Sequence, residues 1–100
     1  MVLFSFAQME VVPGQPRVNA TTMLAAIAKA KQAQAQAIIF PELALTGNLN
    51  GSVWEDEAFL EDCVYWGQQI TAASQDIVVI YGNIWRWRGM LFNACFVAQN

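Results

Sequence analysis

Apolar and polar residues alternate between strand-like and helix-like spacing along the chain. The mostly apolar segment at 2–8 predicts a buried strand. The continuous apolar run at 37–40 predicts a second strand, of the kind found in parallel sheets that are covered on both faces. Between them, apolar positions at helical spacing predict a helix that begins at Pro16 and continues to about Ala33. The short "QAQAQA" repeat consists of helix-forming residues, so we assign it to the end of this helix.

A second helix and a hairpin are predicted in the other half of the chain. Ser52 and Glu55 have the spacing of a capping box, which predicts a helix start. The apolar face of this helix is predicted to comprise Phe59, Leu60, Cys63, Trp66, Gly67, Ile70 and Ala73. A third strand at 77–81 is followed by a hairpin that turns at Arg88 and Gly89.

The predicted element order is β-α-β-α-β-β, which implies an α/β fold. Its sheet should be largely parallel and covered by helices, with an antiparallel extension at the end. The chain has 100 residues and therefore forms one domain at most. Because 56% of the residues are hydrophobic and only 13% are charged, we interpret the chain as part of a larger unit.

The charges argue against several classes of partner. Five Lys and Arg residues against eight Asp and Glu residues give a net charge of −3, with no basic surface for the phosphates of a nucleic acid. The "WRWR" segment at 85–88 has too few cations for a membrane-active or nucleic-acid-binding patch, so we interpret it as a strand with one packed face and one face open to water or a partner. No apolar run approaches the roughly 18 residues of a membrane span, and the first residues lack the basic character of a signal peptide. We therefore expect a cytoplasmic protein with no membrane partner.

Few residues are suited to metal binding or redox chemistry. The absence of histidine removes imidazole relays and most zinc sites. Glu55, Asp56 and Glu57 are interpreted as a solvated helix start, because their carboxylates point different ways around the turn; a metal site is the alternative. Cys63 and Cys95 form no C-x-x-C motif, so both are predicted to be reduced core residues. No metal or cofactor site is predicted in this segment.

The segment "AIIFPELALTG" contains the one carboxylate for which the pattern predicts a chemical role. Glu42 directly follows a buried strand and a proline. In α/β sheets, ligands bind beyond the carboxyl ends of the strands, so Glu42 is a candidate general base. We expect Phe40 and Leu43 to shield it partly from water. The alternative is a carboxylate that caps a backbone turn or pairs with an arginine.

The motif "IIFPELALTG" resembles the region around the first catalytic residue of the nitrilase, or carbon–nitrogen hydrolase, superfamily. The opening "FAQMEVVPGQPRVNA" and the later "YGN" and "LFNACFVAQN" extend the resemblance over nearly the whole chain. The core motif is most similar to the glutaminase domain of glutamine-dependent NAD synthetases. The resemblance implies that residues 1–100 are the N-terminal portion of a carbon–nitrogen hydrolase domain, a nitrilase-type α-β-β-α sandwich that is incomplete in this chain.

The resemblance also implies a mechanism and a substrate. Glu42 matches the family's general base, whereas the nucleophilic Cys and the Lys of the family would lie beyond Asn100, so the chain alone should be inactive. The implied reaction releases ammonia from glutamine, a small-molecule amide, for ATP-dependent NAD synthesis. ATP and Mg are implied for the full-length synthetase. Asn48 stands where the synthetase pattern expects Tyr and is predicted to lie at the substrate pocket. Gln15 and Gln34 depart from the usual helix caps.

Two other functions remain open. The chain could be part of a stand-alone amidase or carbamoyl hydrolase of the same family, or a non-catalytic α/β scaffold. An incomplete sheet also has an open edge, which favours pairing between copies of the chain. We therefore expect a homo-oligomer, and light scattering that gives the mass of a single chain would contradict this.

Overall fold

The computed structural model describes residues 2–99, in which four strands form one sheet and two α-helices pack on it. The elements are β1 (Phe4–Phe6), α1 (Pro16–Gln32), β2 (Ala37–Ile39), a 3₁₀ helix (Gly51–Glu55), α2 (Glu57–Ala72), β3 (Val78–Trp87) and β4 (Met90–Ala98). The strands lie in the order β1-β2-β3-β4. The first three are parallel and β4 is antiparallel to β3. The predicted order and the antiparallel extension are confirmed.

Helix α1 begins with Pro16, as predicted, but ends before the glutamine–alanine repeat is complete. Gln34 has a φ of 63°, in the left-handed region that terminates helices, and its backbone N–H donates to Lys31 O at 2.9 Å. The prediction that the whole repeat is helical is therefore wrong. The chain leaves the helix there because Ala35 turns inward to the core and Ala37 begins β2.

Helix α2 is capped by Asp56, and the predicted capping box at Ser52 and Glu55 is wrong. The Asp56 carboxylate accepts hydrogen bonds from the N–H groups of Ala58 at 3.0 Å and Phe59 at 3.3 Å. An aspartate directly before the helix satisfies two free donors. The residues that precede it form the 3₁₀ turn instead.

Both helices cover the same face of the sheet. Ile38 and Val79 point from the strands into a core that contains Met23 and Ile27 of α1 and Ile70 of α2. Parallel strands joined by crossovers of one hand place successive helices on one face when the strands follow in spatial order. The predicted apolar face of α2 is confirmed, with Leu60, Cys63, Gly67 and Ile70 buried and Phe59, Trp66 and Ala73 half-buried.

The opposite face of the sheet is apolar and exposed. Phe6, Ile39, Ile80 and Val97 are register partners across all four strands, and Phe6 and Val97 are 70% and 68% exposed. The prediction of a buried first strand is therefore wrong, and β2 is covered by the described helices on one face rather than on both. Pairing of copies through the sheet edge stays a prediction.

Strand β3 is longer than predicted and continues without interruption into the hairpin. The predicted 77–81 strand and the first arm of the hairpin are one ten-residue strand, because every residue from Val79 to Trp87 pairs with β4. The turn at Arg88 (φ 50°) and Gly89 (φ 76°) is confirmed. Arg86 forms an ion pair with Glu57 at 3.1 Å. No helix within residues 2–99 is long and apolar enough to cross a membrane.

Replacing Gln34 with glycine should stabilise the protein. Glycine adopts a φ of 63° without the steric cost of a Cβ atom, so Gln34→Gly should raise the free energy of unfolding by about 0.5–1 kcal/mol. Urea unfolding measures this. Gln36→Gly is the matched control, because Gln36 is exposed without a positive φ and should lose stability. An equal loss of unfolding free energy in Gln34→Gly and Gln36→Gly would contradict the left-handed conformation of Gln34.

Candidate functional site

Glu42 lies where β2 ends, in a turn that runs along β3. Phe40 N–H donates to Ile80 O at 2.8 Å, which continues the parallel pairing one residue beyond β2. Leu45 N–H then reaches Gly82 O at 3.4 Å. Between these two contacts the chain carries Glu42 over the exposed face of the sheet. The predicted position at the carboxyl end of a strand is confirmed.

Gly82 makes this close approach feasible. A Cβ atom at position 82 would overlap Leu43 N and lie only 3.1 Å from the Glu42 carbonyl carbon. Glycine in a strand interior is typical of such close backbone contacts. Leu43 has a φ of 51°, which is unusual for a residue with a side chain and indicates local backbone strain. The turn is therefore fixed by its neighbours.

Buried polar contacts hold the other end of the turn. The side chain of Asn19 in α1 is 1% exposed and donates to Leu45 O at 2.9 Å. The same amide accepts from Val12 N–H and donates to Val12 O, both at 2.8 Å. Gly14 N–H donates to Thr46 O at 2.8 Å. The loop after β1 and the turn after β2 are thus joined through one buried asparagine.

The carboxylate of Glu42 is exposed and has one hydrogen-bond partner within residues 2–99. Asn93 Nδ2 of β4 donates to Glu42 Oε1 at 2.7 Å. The expected shielding is wrong: Phe40 turns into the core and Leu43 is only half-buried beside the turn. An arginine partner is not found in the described part of the chain, where Arg86 pairs with Glu57.

Two hollows meet beside Asn93 on this face. The first has a volume of about 370 Å³ and is lined by Ile39, Phe40, Pro41, Glu42, Ile80, Tyr81, Gly82, Asn93, Ala94 and Cys95. The second, of about 310 Å³, is lined by Leu43, Trp54, Ile84, Leu91, Phe92 and Asn93. The carboxylate therefore opens on a concave surface with apolar walls, which suits a small neutral ligand.

Asn48 is exposed in the loop that follows the turn and lines neither hollow. Its role at a substrate pocket stays a prediction. Trp54 of the 3₁₀ helix lines the second hollow, and its indole N–H donates to Leu49 O at 3.0 Å. The 3₁₀ helix that follows the loop at Asn48 thus contributes Trp54 to the concave surface.

The cysteines have different environments, and only one of the two predictions is confirmed. Cys63 is buried; burial, with a smaller contribution from the Asp62 charge, raises the pKa of its thiol to about 12. Its thiol therefore stays protonated near neutral pH. Cys95 is exposed, so its predicted place in the core is wrong. Register with Gly82 puts it on the open face beside Glu42.

Residues 2–99 contain no group of three metal-binding side chains. Asp56 of the predicted acidic run is used as a helix cap, and Glu57 pairs with Arg86. The interpretation of this run as a helix start rather than a metal site is therefore supported by the contacts its residues make.

The fold and the site allow comparison with known proteins. No protein-family model and no curated protein sequence matches the chain. Among solved structures, a glutamine-dependent NAD(+) synthetase from Cytophaga hutchinsonii is similar, with a TM-score of 0.89 and 25% identity. The similarity covers 99% of this chain and 17% of the synthetase. This chain therefore has a partial nitrilase-type fold.

Other structures with this nitrilase-type fold include synthetases and amidases. A glutamine-dependent NAD+ synthetase from Acinetobacter baumannii, in complex with ADP, has a TM-score of 0.78 and 24% identity over 96% of this chain and 18% of its own. An amidase from Nesterenkonia sp. has a TM-score of 0.84 and 17% identity over 98% of this chain and 38% of its own. In a glutamate-to-glutamine mutant of that amidase, acrylamide has undergone Michael addition at the active-site cysteine.

These similarities confirm the predicted fold class and the resemblance to the N-terminal domain of NAD synthetases. The chain spans less than a fifth of either synthetase and 38% of the amidase. One sheet with helices on one face corresponds to part of the nitrilase-type fold.

Glu42 is predictable from the sequence, whereas the three residues that position it are not. Gly82, Asn93 and Asn19 are far from Glu42 in sequence and meet it, or its turn, only in the folded chain. A glycine in the middle of an apolar strand was the available signal, because it indicates a close approach of another backbone. The two asparagines carried no comparable signal.

Adding a methyl group at position 82 should disrupt the turn that carries Glu42. We expect Gly82→Ala to lower the free energy of unfolding by about 1–3 kcal/mol, because the Leu43 backbone must move. Gly51→Ala is the control, since its Cβ meets nothing within 4 Å and only the φ of 82° opposes the substitution. Urea unfolding compares them. A smaller loss for Gly82→Ala than for Gly51→Ala would contradict this packing.

The two thiols should differ in reactivity towards a thiol reagent such as Ellman's reagent. Under native conditions at pH 8, Cys95 should react quickly while Cys63 reacts only after unfolding, because the reactive thiolate is absent at Cys63. Absorbance should report one thiol per native chain, and none in Cys95→Ser. Rapid labelling of native Cys95→Ser would show that the burial assigned to Cys63 is wrong.

Proposed function

We propose that the chain supplies the general base of an amide hydrolase that uses a cysteine nucleophile, with Glu42 as that base and glutamine as the amide. The observation that carries the proposal is the placement of Glu42: a carboxylate at the end of β2, fixed over Gly82, beside an apolar hollow. A general base needs a defined position and access to the proton it removes.

In the proposed reaction, the Glu42 carboxylate takes the proton of a thiol, and the thiolate attacks the amide carbon. The tetrahedral intermediate collapses to a thioester as ammonia leaves with a proton, and water then hydrolyses the thioester to the carboxylate product. A lysine ammonium stabilises the negative oxygen of each tetrahedral intermediate.

The nucleophile and the lysine are proposed to come from polypeptide outside these 100 residues. Cys63 lies on the buried face of α2 with a protonated thiol. Lys29 and Lys31 lie on α1, which packs on the opposite face of the sheet from Glu42. Cys95 is on β4, in a segment that does not match the family's nucleophile motif. The 100-residue chain alone should therefore release no ammonia from glutamine.

The similarity to two NAD synthetases supports glutamine as the amide. In this proposal the ammonia feeds an ATP-dependent amidation in NAD synthesis, and ATP and Mg bind to the rest of the synthetase rather than to this segment. A stand-alone amidase is the second candidate, favoured by the similarity to the Nesterenkonia amidase. The two candidates differ in their response to ATP and a nicotinate dinucleotide. In a synthetase, these compounds should stimulate ammonia release, or the ammonia should be incorporated into the dinucleotide. A stand-alone amidase should show neither effect.

Glu42→Gln should strongly reduce amide hydrolysis in the protein encoded by the complete gene. Loss of a general base lowers kcat by a factor of about 10²–10⁴, so ammonia release from glutamine and from simple amides should fall by at least about 10². Glu61→Gln on the exposed face of α2 is the matched control and should retain the wild-type rate. Wild-type activity in Glu42→Gln would leave the scaffold as the better account of this chain.

A further inference from the structure

Asn93 makes a directed contact with the candidate base across the sheet. It lies on β4 opposite Ile84, and its side chain spans from β4 to the end of β2 above β3. A carboxylate only accepts hydrogen bonds, so the nitrogen of the amide must face Glu42. Gly82 has no side chain between them. The contact therefore depends on the same glycine that admits the turn.

The hydrogen bond restricts a side chain that burial does not restrict. Glu42 is exposed, and an exposed glutamate samples several rotamers on a flexible stem. Donation by Asn93 Nδ2 to Oε1 at 2.7 Å selects one arrangement. It occupies one carboxylate oxygen and leaves Oε2 as the atom available for proton transfer. Because Asn93 lines both hollows, this arrangement is fixed at their junction.

We propose that Asn93 is the positioning residue of the candidate base: it holds the Glu42 carboxylate so that Oε2 accepts the proton of the nucleophile. The proposal rests on the proposed function for its catalytic consequence, but the contact itself is testable in the 100-residue chain. Misplacement of a reacting group by about 1 Å can cost a factor of about 10² in rate, so the orientation of an exposed base matters.

The contact is tested first by NMR of the ¹⁵N-labelled 100-residue chain. The side-chain amide of Asn93 should exchange with water more slowly than that of exposed Asn50, which caps no helix N–H and serves as an internal control. The Asn93 resonance should move in Glu42→Ala. The proposal would be overturned if the side-chain amide of Asn93 exchanged with water as fast as that of Asn50 and its resonance did not move in Glu42→Ala. This result would hold regardless of the catalytic activity.

The catalytic consequence is tested by kinetics of the protein encoded by the complete gene. Asn93→Ala should lower kcat for amide hydrolysis by about tenfold or more, with KM changed by less than about twofold, because the base is displaced while substrate contacts remain. Asn93→Asp should lose at least as much, since two carboxylates then oppose each other. Asn93→Gln, which keeps the amide donor on the exposed strand, should recover part of the rate. Asn50→Ala should match the wild type.

The outcomes separate this proposal from the proposed function. If Glu42→Gln is inactive and Asn93→Ala retains the wild-type kcat, the proposed function stands and the positioning role is overturned. A rise in KM with unchanged kcat also overturns it, because Asn93 would then be a substrate contact. If the wild-type protein hydrolyses no amide, the proposed function fails, and the NMR comparison alone decides whether Asn93 holds Glu42.

Discussion

The close contact between the turn at Glu42 and the backbone of Gly82 is the constraint on which this site depends. A side chain at position 82 would occupy the space of the Leu43 amide. With glycine there, the chain leaving β2 crosses β3 at van der Waals distance, and the left-handed Leu43 directs it back towards the core. Asn19 then anchors the far end of the turn from inside α1. Glu42 thus projects from a segment fixed on both sides.

The arrangement of the helices determines where this site opens. Both α1 and α2 pack on one face of the sheet, so their buried side chains form the core and leave the other face apolar and exposed. Glu42, Asn93 and Cys95 all lie on that second face. The turn after β2 therefore separates two functions within a short chain: its apolar residues Phe40, Ala44 and Leu45 stabilise the core, and its carboxylate faces the open side.

The fold was predictable because apolar periodicity and length distinguish helices from strands in this sequence. The helix cap, the strand length and the exposed face were not predictable, because neighbouring residues or elements compete for each of them. Asp56 rather than Ser52 caps α2, since its carboxylate lies next to the free N–H groups. Strand β3 passes through position 82 because β4 pairs with it throughout. The exposure of Cys95 is not predictable, because an apolar segment does not reveal which face of a strand is covered.

The site was predictable only in part, for a related reason. Glu42 is identified by its motif and by its position after a strand. Asn93, in contrast, contacts Glu42 from 51 residues away in sequence. Nothing in the local sequence marks that asparagine as a partner. Long-range contacts of exposed polar residues leave no periodic signal, whereas buried apolar residues do.

The most direct test of the account is a crystal structure of the protein encoded by the complete gene after reaction with an electrophilic analogue of glutamine. The account predicts a covalent bond to a cysteine outside residues 1–100, with its sulfur about 3 Å from the free oxygen of Glu42. Labelling of a cysteine remote from Glu42, or a carboxylate directed away from the modified sulfur, would contradict it.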